Sequence, residues 1–423
     1  MVTGDLAQDA LRRFGTALEE AFEHSNAPRP RALITALSGG PDSTALALLA
    51  SSYASTHDIP HNCVIVNHGL REDAGSEAET VATRMQAMGI ACTIHTVTAA
   101  RPSGGIQEWA RQQRYEALQS AARQQDAALL LGHHAMDQAE TVFMRLLHGS
   151  GLGGLGAMSP FRRFGDINII RPALGFMPAE LVAVCDAFSC DYERDPSNHD
   201  ARFERVRTRQ TLDAMQLAGM PIPARLTRLS SAASDICRHV DDVLAQKVAL
   251  PRLCAHGYAE FNLAALRDVP DMLWRRIIGR MVMAVGGGDY LASQQSFSRL
   301  RGRLEAAMPA TLGGCRFMLG QGKDEWRILH EPGRQHARQF ITAHQPIIFN
   351  GIWRVRSPID GHVRMLGDAP VPPDWTDIAH AVRVSFPIVE TLDGGMLYPH
   401  LEVVSEAQPD AAGLSAVFLA SGA

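Results

Sequence analysis

The sequence predicts an α/β protein: a doubly wound, mostly parallel sheet, then a helical middle domain and a small mixed α/β or β-rich C-terminal domain. Three observations carry this. Through the first half, apolar runs of strand length alternate with helical stretches, the pattern of βαβ units. Beyond about residue 209 helical segments follow one another without strands between them. Beyond about residue 336 the chain becomes rich in Gly and Pro around short β-type runs.

In order, Leu33–Leu37 reads as a buried strand, followed by a turn and a helix through about Tyr53. Cys63–Asn67 is a second strand, Ser76–Met88 a helix and Cys92–Val97 a third strand. Gln107–Gln124 is a long helix, Ala127–Gly132 a fourth strand and Met136–His148 a helix. Ile167–Arg171 is a fifth strand, followed by the helix Ala179–Phe188. Arg209–Val248 is helical, broken at Gly219-Met220-Pro221. Asp271–Val285 and Ser296–Met308 are further helices, while Ala310–Leu319 and Glu325–Leu329 read as short strands. The expected domains are 1–215, 216–335 and 336–423.

Composition narrows the function classes. At 46% hydrophobic and 20% charged, the chain has ordinary globular composition. Its net charge of −5 requires any nucleic-acid contact to rest on local positive charge. The seven cysteines include no CxxC pair, which disfavours a zinc or iron–sulfur site and fits free thiols in a reducing cytosol. No stretch is long and apolar enough to span a membrane, so the expected location is cytoplasmic.

The hexapeptide Ser38-Gly39-Gly40-Pro41-Asp42-Ser43 follows a strand and opens a helix. Glycines let backbone N–H groups approach phosphate oxygens, Pro41 suits the first helical turn, and the helix N-terminus favours an anion. Ser38 and Ser43 add hydroxyls. Asp42 would repel phosphate unless a magnesium ion or an ammonium group lay between them. A capping turn without ligand is the alternative. On the helix beginning near Met136, His133, Asp137, Glu140 and Thr141 fall on one face, fit either for a cationic substrate or for plain solvation. Arg111 and Arg114 lie one turn apart and could meet phosphates or face solvent. Arg202, Arg205, Arg207 and Arg209 put four cations in eight residues, the local patch an RNA backbone needs.

SGGPDS lacks the lysine of a Walker loop and resembles the PP-loop of the ATP pyrophosphatase family. Val64–Arg71 (VIVNHGLR), Gly105–Tyr115 (GIQEWARQQRY), Gly132–Thr141 (GHHAMDQAET), His148–Met158 (HGSGLGGLGAM) and Asp195–Arg209 (DPSNHDARFERVRTR) resemble segments of one branch, the tRNA(Ile)-lysidine synthases. These motifs lie in order over the first half. The resemblance implies a PP-loop ATPase domain at 1–215 and ATP with Mg2+, carried by Ser38–Ser43 with Asp42 on the metal. It implies catalytic roles for Asp42, Arg111 and Arg114, and lysine recognition by His133, Asp137 and Glu140. It also implies contact of the four arginines with the CAU-anticodon isoleucine tRNA. The implied activity is ligation of L-lysine to the wobble cytidine through an adenylated base. Asn67, Met136 and Val206 depart from the pattern and leave open a weakened tRNA-binding relative or another PP-loop tRNA-modifying enzyme such as a thiolase. A homodimer is also left open.

Overall fold

The computed structural model describes residues 2–418, except 26–28, 71–72, 100, 103, 165–166, 194–203, 255, 289–290, 323, 332–337 and 403–414. The chain divides into two compact units, Met1–Val240 and Asp241–Ala423.

The first unit opens with helix α1 (Val2–Ser25), then β1 (Ala32–Ala36), α2 (Pro41–His57), β2 (His61–Asn67), α3 (Ala74–Ala87) and β3 (Ala91–Thr96). It continues with α4 (Ile106–Gln124), β4 (Ala127–Leu130), α5 (Ala135–Leu147), α6 (Leu152–Leu155), β5 (Phe161–Phe164), β6 (Ile167–Ile170), α7 (Pro178–Ala187), α8 (Glu204–Leu217) and α9 (Ile222–Lys247). The expected strands and helices are present to within a few residues. The sheet order is β3-β2-β1-β4-β6-β5; all neighbours are parallel except the β5–β6 edge pair. The chain winds outward from β1 to β3, then returns to β4 beside β1. This reversal opens a crevice at the carboxyl ends of β1 and β4, where sheets of this kind bind ligands.

Burial explains the pattern. Leu33, Leu37, Cys63, Ala128, Leu130 and Ile170 pack with α1, α2, α3 and α7 on one sheet face. Ile34, Val64, Leu129, Leu131 and Ile169 pack with Leu118 and Ala122 of α4 on the other. A parallel sheet covered on both faces needs apolar residues at every position, hence runs such as AALL rather than alternation. Three elements fall outside the sequence expectation, the four-residue α6 among them. α1 buries Ala10, Phe14, Leu18, Ala21 and Phe22 at helical spacing. β5, Phe161-Arg162-Arg163-Phe164, has its two apolar residues too far apart for a strand signal.

The second unit differs from the expected helical middle domain. β7 (Arg252–Cys254), β8 (Tyr258–Asn262), α10 (Asp271–Gly286), α11 (Gln294–Glu305), β9 (Ala310–Leu312), β10 (Cys315–Leu319) and β11 (Glu325–His330) include the two expected helices. All five strands join in one antiparallel sheet ordered β7-β8-β11-β10-β9. β7 and β8 span three and five residues, too short for a period-two signal. The remaining strands are β12 (Gln339–Ile341), β13 (Ile347–Phe349), β14 (Trp353–Arg356), β15 (Gly361–Met365), β16 (Pro387–Thr391), β17 (Met396–Leu397), β18 (His400–Glu402) and β19 (Ser415–Phe418). They form two four-stranded sheets, β12-β15-β16-β17 and β13-β14-β19-β18, matching the β-rich expectation. Trp353 is 1% exposed and packs edge-on against Phe386, so it serves the core. No helix among the described residues is long and apolar enough to cross a membrane.

Candidate active site

The loop Ser38–Ser43 lies at the end of β1, beside the β1–β4 crevice. Gly40 caps α2 and Pro41 takes its first position. Asp42 and Ser43 follow, and their N–H groups lack an intrahelical acceptor. Gly39 adopts φ +85°, and a Cβ there would sit 2.7 Å from Cγ2 of Val81, a stiff buried side chain. The Ser43 hydroxyl holds the loop together: it accepts the Ser38 N–H at 3.1 Å, lies 3.0 Å from Ser38 Oγ and donates to Gly40 O at 3.1 Å. Opposite, Gly132 at the end of β4 lets that strand approach; a Cβ would lie 3.4 Å from Ser43 Cα.

His134 ties the loop to α5. Its ring and Asp137 form a reciprocal cap: the Asp137 N–H donates to His134 Nδ1 at 3.2 Å, and the His134 N–H donates to Asp137 Oδ2 at 3.0 Å. In the neutral ring Nδ1 therefore accepts and the hydrogen sits on Nε2, 3.6 Å from Asp42 Oδ2; in the protonated ring Nδ1–H faces Asp137 Oδ2 at 3.4 Å instead. Burial pulls the His134 pKa down, but hydrogen bonding to Asp42 and the charges of Asp137 and Asp42 outweigh it, and the net shift is upward. Sequence reasoning singled out the neighbouring His133 and passed over His134. The available signal was the cap spacing, a polar residue three before Asp137.

Asp137 and Glu140 face α8. Arg205 donates from Nη2 to Asp137 Oδ1 at 2.8 Å and from Nε to Glu140 Oε2 at 2.7 Å. Arg209 donates from Nε to Glu140 Oε1 at 2.5 Å. Glu140 is fully buried, while the arginine side chains keep 45% and 39% of their exposure. For Asp137, burial raises the pKa, but the charges of His134 and Arg205 bring it below the ordinary carboxylate value. Two of the three residues expected to meet lysine, Asp137 and Glu140, and two of those expected to meet RNA, Arg205 and Arg209, are thus brought together, each pair matching the other, while His133 makes no bond in this group. Arg207, exposed, lies on the far side of α8 from this pair; Arg202 lies outside the described residues.

A third group lines the α4 side. Arg111 stacks its guanidinium over Tyr115, 5.2 Å from the ring centroid. Buried Arg171 donates to Ser159 O at 2.9 Å and bonds Tyr115. Burial lowers the Arg171 pKa, with Arg162 and Arg111 adding to the effect. Arg114 is lowered by local desolvation and by Arg111. His133 is lowered to about 4, by burial first and by Arg171, Arg205 and Arg111 against the pull of Asp137. Burial and then Arg114 lower His68, whose two ring nitrogens are buried without a partner. Among the described residues, no ion pair joins Arg111, Arg114 or Arg171 to a carboxylate. Arg171 was absent from the sequence expectation; its signal was an arginine at the end of the fifth strand.

Two departures have local explanations. Asn67 Oδ1 accepts the Gly69 N–H at 2.9 Å, a turn bond an aspartate would also make. Met136 packs with Ala139, Val142, Leu212 and Leu226 in a small core joining α5, α8 and α9. Nothing in the structure explains Val206.

No three His, Cys, Asp or Glu side chains among the described residues gather as a metal site. The loop instead offers one half-buried carboxylate, Asp42, beside open N–H groups. That suits a magnesium ion held mostly by a nucleotide's own phosphates.

The chain matches the PP-loop domain family over residues 11–215. It is 32% identical to the tRNA(Ile)-lysidine synthase of Ruegeria pomeroyi over 86% of this chain and 87% of that one. It is 37% identical to that of Methylobacterium nodulans over 69% of this chain and 88% of that one. Among solved structures it is similar to the U34-tRNA thiolase NcsA from Methanococcus maripaludis, with 15% identity, TM-score 0.43, and coverage of 52% and 78%. With a PP-loop at the sheet's switch point and this identity over most of both chains, the chain belongs to the tRNA(Ile)-lysidine synthase family.

Proposed function

We propose that this chain ligates L-lysine to the wobble cytidine of the CAU-anticodon isoleucine tRNA, consuming ATP. The cytidine carbonyl oxygen attacks the α-phosphate of ATP; pyrophosphate leaves and an adenylated base results. A lysine amine then displaces AMP. The observation that carries the reading is the junction at the crevice. His134 joins the phosphate loop, through Asp42, to two buried carboxylates matched by two part-exposed guanidiniums.

Each part has a task in this reaction. Gly39, Gly40 and the first-turn N–H groups of α2 cradle phosphate, with Ser38 and Ser43 shaping the loop. Asp42 holds Mg2+, which when bound neutralises phosphate charge. Arg111 and Arg114, with Arg171 behind them, receive the charge that develops on departing pyrophosphate. Lysine carries both signs, and the Asp137, Glu140, Arg205 and Arg209 group offers both. Neutral His133 does not repel its ammonium. Arg202 and Arg207 meet the RNA backbone. The reaction takes place in the cytoplasm.

The test is to incubate the protein with ATP, Mg2+, labelled lysine and this tRNA. Label should appear in the anticodon loop with one AMP and one pyrophosphate per lysine. Asp42→Ala should bind tRNA normally but form neither product. AMP release without lysine transfer, or unchanged turnover in Asp42→Ala, would sink the assignment.

A further inference from the structure

Arg84 and Glu193 lie outside every motif noted in the sequence, yet both converge on the phosphate loop. The Glu193 N–H donates to Gly39 O at 2.8 Å. The Glu193 side chain, its Cγ 3.7 Å from where a Gly39 Cβ would sit, receives Arg84 Nη2 at 2.9 Å. Arg84 stands one turn after Val81 on α3, the residue whose Cγ2 closes the other side of Gly39. Behind the loop, the Cys185 thiol on α7 donates to Pro41 O at 3.5 Å.

The physical need is plain. Gly39 sits in the left-handed region because no side chain fits there. The same freedom leaves its peptide unit without intrinsic rigidity, and anion binding by backbone N–H groups depends on their direction being fixed in advance. A carbonyl held by an outside donor fixes the peptide plane. An ion pair that anchors the donor's residue fixes the donor.

We propose that Arg84 and Glu193 form a brace that pre-organises the phosphate loop through Gly39, acting as positioning residues for nucleotide binding. This rests on the reading that Ser38–Ser43 holds ATP. The brace joins α3 to the segment after α7, on the two sides of Gly39. The side chains are 23% and 48% exposed, which sets the scale of the effect as modest.

The test measures ATP binding with Mg2+ by calorimetry on the full chain, for the parent, Arg84→Ala, Arg84→Lys, Glu193→Ala and the exchanged double Arg84→Glu with Glu193→Arg. Both alanine variants should weaken ATP binding about two- to fivefold, the range of an exposed ion pair, with Arg84→Lys and the exchanged double near the parent. In turnover, KM for ATP should rise while kcat at saturating ATP and KM for tRNA stay put. A purely structural pair would lower the unfolding midpoint of the alanine variants and leave their ATP affinity at the parent value; that result overturns the brace and spares the reading of the loop. A parent that binds no ATP overturns both.

Discussion

The two flanks of the phosphate loop treat charge in opposite ways. On the α5 side, Asp137 and Glu140 are matched by Arg205 and Arg209, and every carboxylate oxygen has a donor. On the α4 side, Arg111, Arg114 and Arg171 stand near His68 and His133 with no carboxylate paired to them among the described residues, and burial first, then neighbouring cations, lower Arg114, Arg171 and His133. A compensated cluster contributes to the fold, since either sign left alone in a buried site is costly. An uncompensated cationic one carries unspent attraction for an anion. One flank is therefore matched within the fold, while the other keeps cations without a carboxylate partner among the described residues.

The largest effect should come from breaking the compensated flank. Glu140→Ala removes the acceptor of both Nε groups and leaves Arg205 and Arg209 to share Asp137 alone. It should cost about 3 kcal/mol of stability in urea unfolding, at the low end for a broken buried pair because both arginines retain contact with water. Arg111→Ala should leave stability unchanged. Equal losses in the two variants would erase the distinction between the flanks.

The next effect belongs to the uncompensated flank. Arg111→Ala should weaken inhibition by added pyrophosphate about tenfold, the scale of one charge-assisted hydrogen bond, and more steeply at low salt. Arg209→Ala should change it much less. If Arg209→Ala proves the more damaging, pyrophosphate leaves along the α5 side.

The smallest effect is in pH dependence, and it separates adjacent histidines. His134 is raised in the folded chain, so its protonated form adds stability that is fully present below pH 6.5 and lost as pH rises through the folded value. His133 is lowered from 6.5 to about 4, so its neutral form adds stability that is present above pH 6.5 and lost as pH falls toward 4. Histidine NMR titration should show one ring above its ordinary value and one far below. His134→Asn should flatten the alkaline side of the stability profile and His133→Asn the acid side. Two rings titrating together near 6.5 would remove the electrostatic contrast at its centre.

The sequence alone determined the βαβ order, because a sheet buried on both faces demands unbroken apolar runs between helices. It also determined the phosphate loop, because Gly-Gly-Pro after a strand and before a helix is a local device that needs no distant partner. The same holds for the acidic face of α5, since helical periodicity places Asp137 and Glu140 together. Tertiary structure alone decided what that face meets. Arg205 and Arg209 lie some 65 to 69 residues from Glu140 along the chain, and only the packing of α8 on α5 turns them inward. It decided that His134 rather than His133 links loop and helix, because cap geometry distinguishes neighbours that composition cannot. It brought Arg171, just past β6, to Tyr115 of α4, and Arg84 and Glu193, from separate elements, to Gly39. In the second unit, β7 and β8, of three and five residues, gain their identity only from the partners they pair with, so the sheet they complete with the expected strands of 310–329 was invisible until the chain was folded. Local propensity is written in neighbouring residues; the pairing of charges and short strands is set by whatever the rest of the chain brings within reach.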